Sequence, residues 1–385
     1  MVITDLRLKT DRDLDAEQGV GSGGPAVLEY FSPMKAALGA EVWKRTTRLA
    51  LFDHGSNFLP PEGTRGKALT AFKRELAERR AAARSSALES LRELRPTAVL
   101  CLGVRTTAVK NKDAESGEAL GHTRGSMAWD LFGAPAPIDA MAGTLWASSL
   151  APVIGVPHPG SQEFVHGELF RRWCIRAAQF SLNPSVLLLP TAVATEPVKK
   201  MYDYLQLLLA RGQAGAKISV DIESYMDGSV ITCVGLSDGE VTVSVPWEEF
   251  KPHGTQRIEP VDLGAKALAT AVLGLSCPKV LHNGISFDGP LLAQHGTPMA
   301  GPLIDTYLMH GAIRNQYKHG LQAVAAELFL VPPWKSLHRK SVTATGLTLD
   351  DAEAWIQDPT ELRRYNASDT FYTAHIERAL NGELI

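Results

Sequence analysis

His282-Asn283-Gly284-Ile285-Ser286-Phe287-Asp288 decides how the C-terminal half of this 385-residue chain is read. The run Val280–Asn283 reads as a strand, and Asp288 then opens a helix containing Leu291 and Leu292. Upstream, Ile218, Val220 and Ile222 alternate as a strand that ends in Asp221-Ile222-Glu223. Side chains two apart on a strand point the same way, so Asp221 and Glu223 share a face while their apolar neighbours pack a core. Paired acids repel unless a cation lies between them. Downstream lies Tyr365-Asn366-Ala367-Ser368-Asp369. Tyr365 and Asp369 are four apart on a late helix and share a face, with Tyr372 and Ile376 continuing the stripe toward the sheet.

Four acids from three segments, with a tyrosine one turn before the last, form a set suited to two divalent cations. Hard carboxylate oxygens favour Mg²⁺ or Mn²⁺. Such a pair, about 3.5–4 Å apart, lowers the pKa of an attacking water and offsets charge on the leaving oxygen of a phosphodiester. Tyr365 is placed to position that water. The first and third motifs are common alone and the second is more specific; their order within one domain carries the reading.

The surrounding pattern is a sheet followed by helices. Val230–Leu236 and Val241–Val245 flank Ser237-Asp238-Gly239-Glu240, a hairpin signal. A helix is predicted at about 265–275, and a last one opens at Asp358-Pro359-Thr360-Glu361, with a capping acid, proline in the first turn and Glu three after the cap. Three antiparallel strands, then a helix and a further strand, match a ribonuclease-H-like mixed sheet.

Residues 216–385 resemble the proofreading-type 3′–5′ exonuclease domain of the DEDD superfamily, tyrosine branch. That domain occurs in family A DNA polymerases, RNase D and Werner-type exonucleases. The resemblance implies that Asp221, Glu223 and Asp369 hold the first metal, with Asp221 also touching the second and Asp288 acting on the second. It makes Tyr365 a catalytic residue beside those four acids. Asn283 and Phe287 would flank the terminal nucleotide, and His282 belongs to the same candidate substrate-binding string. Lys335, His338, Arg339 and Lys340 form a basic loop, from which Lys335 and Arg339 are candidate contacts to the strand backbone. Asp305-Thr306-Tyr307-Leu308 and His319-Gly320-Leu321 resemble the family's intervening strand-helix and a small helix beside the substrate, and Asp305 reads as structural.

The N-terminal half alternates differently. Residues 67–95 are predicted as a long amphipathic helix carrying Lys73, Arg74, Arg79, Arg80, Arg84, Arg92 and Arg95 on its polar face. Pro96 ends it, and strands at Ala98–Leu102 and Val153–Val156 are separated by a long loop. The second strand runs into Pro157-His158-Pro159-Gly160-Ser161, before a helix at about 162–180. This rhythm predicts an α/β domain with a parallel sheet. Residues 95–180 resemble the core of a uracil-DNA glycosylase-like domain of the family 4/5 type. The sequence has no GExPG-type loop near the N-terminus and lacks the family's cluster-ligating cysteines. The expectation is therefore a glycosylase-like fold reduced to DNA binding or structure. The domains expected are 1–182 glycosylase-like, 183–215 a linker helix for which Thr195 is a candidate cap, and 216–385 exonuclease.

Composition narrows the class. With 45% hydrophobic and 21% charged residues, and no apolar run of membrane-spanning length, the chain reads as cytoplasmic and globular, with no membrane partner. The N-terminus lacks a signal-peptide pattern. Cys101, Cys174, Cys233 and Cys277 are too far apart for a CxxC pair, which excludes a zinc knuckle and indicates buried thiols. A net charge of −3 argues against nonspecific coating of nucleic acid but not against a nuclease, whose cations offset its acids. The expectation is a metal-dependent 3′–5′ exonuclease on single-stranded DNA ends, in proofreading or repair. The chain looks like the front half of a phage-type polymerase, which makes a separate polymerase a candidate partner. The alternatives are a non-catalytic DNA-binding accessory subunit, an RNase D-like RNA exonuclease, or residual uracil excision by the N-terminal half.

Overall fold

The computed structural model describes residues 2–6, 36–39, 48–52, 65–103, 131–133, 141–157, 167–190, 192–193, 198–225, 227–251, 258–335 and 359–384. The chain divides into two compact units, Met1–Leu188 with Phe329–Pro333, and Leu189–Leu328 with Trp334–Ile385. His158, Thr195, His338, Arg339, Lys340 and Asp358 lie outside the described residues, as do the side chains of Lys73, Arg79, Arg80 and Arg84.

The first unit holds a five-stranded sheet ordered β2-β1-β3-β5-β4. Its strands are β1 (Val2–Leu6), β2 (Arg48–Phe52), β3 (Val99–Gly103), β4 (Leu145–Ala147) and β5 (Pro152–Pro157). All neighbours are parallel except β4, which runs antiparallel to β5 at the edge. The predicted parallel sheet thus carries one reversed edge strand. Helix α1 (Gly66–Leu94) ends at Arg95, whose φ of 42° turns the chain into Pro96. Helix α2 (Gly167–Leu182) buries Phe170, Cys174, Ala177 and Ala178 with Leu100, Ile154 and Val156 of the sheet. Leu330, distant in sequence, joins this core, and the Val331 carbonyl accepts from the Leu145 N–H at 2.8 Å.

The second unit holds a six-stranded mixed sheet ordered β11-β10-β7-β8-β9-β6. These are β6 (Ala192–Val193), β7 (Ile218–Ser224), β8 (Ile231–Ser237), β9 (Thr242–Pro246), β10 (Lys279–Leu281) and β11 (Leu303–Asp305). β7, β8 and β9 form the antiparallel centre, while β10 and β11 run parallel to β7. The β8–β9 turn works as its sequence predicts. Gly239 adopts φ +84°, and Asp238 Oδ1 accepts from the N–H groups of Glu240 and Val241 at 2.9 Å each.

The pleat sorts the two faces. Ile218, Val220 and Ile222 of β7 pack with Val234, Val243 and Val245 against Leu205 and Leu208 of α3 (Val198–Gln213) and Ala265, Ala269 and Val272 of α4 (Leu263–Leu273). The helix expected as a linker is therefore built into the second unit's core. The opposite parity is polar. Ser219 Oγ donates to the Thr370 carbonyl at 2.8 Å, and Ser244 Oγ donates to Asn366 Oδ1 at 2.6 Å. Thr370 and Asn366 belong to α8 (Pro359–Leu384), which lies over β7, β8 and β9 on this face. Among the described residues the unit also holds three short helices: α5 (Asp288–Gln294), α6 (Thr306–Ile313) and α7 (Leu321–Leu328).

Candidate active site

Strand alternation delivers Asp221 and Glu223 to the face that α8 covers, as their spacing requires. They stand opposite Gly235 and Cys233 of β8. From α8, Asp369 reaches the same point. Carboxylate oxygens of Asp221, Glu223 and Asp369 all lie within 4.8 Å of one another. Among the described residues this is the one group of three such ligands that converges.

Electrostatics marks the site as short of positive charge. Burial pushes the pKa of Asp221 well above the usual carboxylate range, and the charges of Asp369, Glu223 and Asp288 push it further. Glu223 is raised by burial and then by Asp369. A divalent cation among these oxygens would reverse the repulsion, so the donor set fits a hard cation.

Asp288 opens α5, with its Oδ1 accepting from the Ile222 N–H at 2.9 Å. It sits outside the convergent triple but close enough to raise Asp221. Burial carries Asp288 to about 7, against the stabilising N–H bonds it accepts. Tyr365 precedes Asp369 by one turn. Burial and the neighbouring Asp369 keep its phenol above the ordinary tyrosine range.

Lys335 enters this cluster rather than an outer rim. Its ammonium pairs with Asp369 Oδ2, donates to the Tyr365 hydroxyl at 2.8 Å and lies 4.7 Å from that ring's centroid. Burial opposes its charge, but Asp369, Tyr365 and Asp221 outweigh burial and hold the lysine pKa above its ordinary value.

The loop of the opening motif is set by Asp305. Its carboxylate accepts from the N–H groups of Asn283 at 2.9 Å, Ile285 at 3.2 Å and Tyr307 at 2.9 Å. Asn283 adopts φ +62° and is exposed, and Phe287 is 48% exposed, so its ring is presented to solvent. His282 is turned inward. Its Nδ1 bonds Thr306 Oγ1 at 2.8 Å, and burial lowers its pKa to about 4. His319 stacks edge-on to Tyr307 at 5.4 Å and bonds His310 at 2.7 Å, which in turn bonds Glu327 at 3.0 Å.

Two supporting residues received no role from the sequence. Asn366 donates Nδ2–H to Asp221 Oδ2 at 2.9 Å and to the Asp221 carbonyl at 3.1 Å. Trp334 donates Nε1–H to Asp369 Oδ1 at 2.5 Å. Asn366 sits inside the third motif, where a buried amide on the sheet-facing stripe was the available signal. Nothing near Trp334 in the chain points to Asp369, 35 residues later.

No family model matches this chain, and no curated protein does. Solved structures do. Escherichia coli RNase D, an exoribonuclease involved in structured RNA processing, is 22% identical over 51% of this chain and 45% of its own, with a TM-score of 0.30. The EXD2 exonuclease domain soaked in Mn and GMP is 18% identical over 51% of this chain and 90% of its own, with a TM-score of 0.23. The RNase domain of the yeast Pop2 protein is 13% identical over 47% and 88%, with a TM-score of 0.29. The present chain thus spans less than half the length of the RNase D it matches. No helix among the described residues is long and apolar enough to cross a membrane.

Proposed function

We propose that the second unit is a metal-dependent 3′–5′ exonuclease that hydrolyses the terminal phosphodiester of a single-stranded DNA end and releases nucleoside 5′-monophosphates. The observation that carries this reading is the convergence of Asp221, Glu223 and Asp369 oxygens within 4.8 Å, beside Tyr365 on the same helix. Mg²⁺ or Mn²⁺, when bound, would supply Lewis-acid chemistry to the attacking water and the leaving 3′ oxygen. Asp221, Glu223 and Asp369 would hold the first ion, with Asp288 and Asp221 toward the second.

The chain's own groups supply the rest. Tyr365 accepts the Lys335 N–H on its hydroxyl oxygen at 2.8 Å, which holds the phenol beside the acids, where it would position the attacking water. Asn366 fixes the Asp221 carboxylate, and Trp334 fixes that of Asp369. Ile285, Phe287, Tyr307 and Leu308 are exposed apolar side chains on the two segments that Asp305 ties together. Stacking on such a surface suits unpaired bases and is sequence-tolerant. We place the activity in replication proofreading or repair.

The test is Asp221→Ala with Glu223→Ala. Degradation of a 5′-labelled single strand in Mg²⁺ should shorten it from the 3′ end in the native protein. It should fall about a thousandfold in the variant, since several kcal/mol of transition-state stabilisation are removed. Undiminished degradation overturns the assignment. Faster digestion of a matched RNA strand would move the substrate to RNA, because that choice rests on contacts to the 2′-hydroxyl.

A further inference from the structure

Trp334 and Lys335, two consecutive residues, engage both oxygens of Asp369. Trp334 Nε1–H takes Oδ1 at 2.5 Å, and the Lys335 ammonium takes Oδ2. Their position is fixed by the chain itself, because the Lys335 N–H donates to Gln322 Oε1 of α7 at 3.0 Å. The ammonium thus holds one oxygen of Asp369, a residue of the converging acid triple.

Resting on the reading of this site as a metal-dependent nuclease, we propose that Lys335 is its built-in counter-ion. It holds the acid cluster together until a divalent cation takes Asp369 Oδ2 from it, and afterwards it keeps the Tyr365 hydroxyl. Three carboxylates brought within 4.8 Å repel one another strongly, and a monocation on one of them relieves that repulsion only in part. A divalent ion relieves it better, but at a few ångströms it also repels the ammonium. The two cations therefore compete for Asp369. Lys335 is free to yield. Its side chain is 28% exposed, and its flexible four-carbon stem lets the charged end move toward solvent. Its second bond, to Tyr365 at 2.8 Å, involves no metal oxygen and need not break. The exchange would leave the phenol oriented by the same partner before and after metal binding.

The experiment measures Mn²⁺ binding to the full chain without nucleic acid, by calorimetry or by electron paramagnetic resonance of free Mn²⁺. The native protein, Lys335→Met, Lys335→Gln and Asp369→Asn are compared, with folding checked by circular dichroism. Lys335→Met should bind Mn²⁺ about tenfold more tightly, equivalent to about 1.4 kcal/mol. It should also melt at a lower temperature in chelator, and Asp369→Asn should bind weakly. Should Lys335→Met fail to fold, the glutamine variant carries the same expectation. Unchanged or weaker Mn²⁺ binding in a folded Lys335 variant overturns the counter-ion role while leaving the metal site standing. Absence of Mn²⁺ binding by the native protein overturns the metal site, and the counter-ion role with it.

Discussion

Asp305 shows how one side chain shapes a functional loop. Three N–H groups from two segments converge on a carboxylate that is only 5% exposed. Replacing it with alanine leaves those donors to water or to nothing, a cost of about 1–3 kcal/mol. Asp305→Ala should lower the urea midpoint accordingly, and backbone amides of residues 283–285 should exchange faster. Asp305→Asn, which retains one acceptor oxygen, should lose less. An Asp305→Ala protein with native stability and native exchange would reduce the residue to a helix cap. The sequence marked Asp305 as structural, but its three partners follow from the chain path alone. Lys335 is the opposite case: its type suggested a phosphate contact, and only packing carried it into the acid cluster.

Helix α8 meets the sheet through small and polar groups. A Cβ on Gly235 would lie 2.1 Å from Thr370 Oγ1 and 2.7 Å from Asn366 Oδ1. Glycine is therefore needed here for close approach, since its backbone lies outside the positive-φ region. Gly235→Val would push α8 away from β7 and β8 and carry Asn366 off Asp221. We expect a loss of roughly 1–3 kcal/mol from overpacking, with Mn²⁺ binding weakened along with it. A chemical denaturation curve and a Mn²⁺ titration check both, and a native-like result in each would deny the contact. The helices and strands of this unit were largely legible, because their apolar periods and turn residues agree. The seam between α8 and the sheet was not, because Ser219, Gly235, Ser244 and Asn366 carry no hydrophobic signal.

For the whole molecule, the acid cluster costs stability when no cation is bound. Asp221, Glu223 and Asp288 have folded pKa values above their unfolded ones near 4, with Asp288 at about 7. Groups raised in this way favour the folded state at low pH, and the advantage is lost as pH rises, for Asp288 from about 4 through about 7. In chelator, unfolding free energy should fall between pH 5 and pH 8 by more than about 1 kcal/mol on their account. Saturating Mn²⁺ should restore more at pH 8 than at pH 5, and Asp288→Asn should flatten the slope. Equal stability at both pH values in chelator would mean that the cluster is not strained.

The amino-acid sequence by itself determined the periods of strand and helix, the hairpin turn and the identity of the acids, because these depend on spacing within a few residues. It also placed Asp221 with Glu223, and Tyr365 with Asp369, as pairs on single elements. Only the tertiary structure decided that β7 and α8 bring those pairs to one point, and that Asp288 stands just outside it. It likewise decided that residues 329–333 serve the first unit's core while Trp334 and Lys335 serve the acid cluster of the second. The physical reason is range: alternation and helical pitch act between near neighbours, whereas convergence depends on how a sheet and a helix more than 100 residues apart pack against each other.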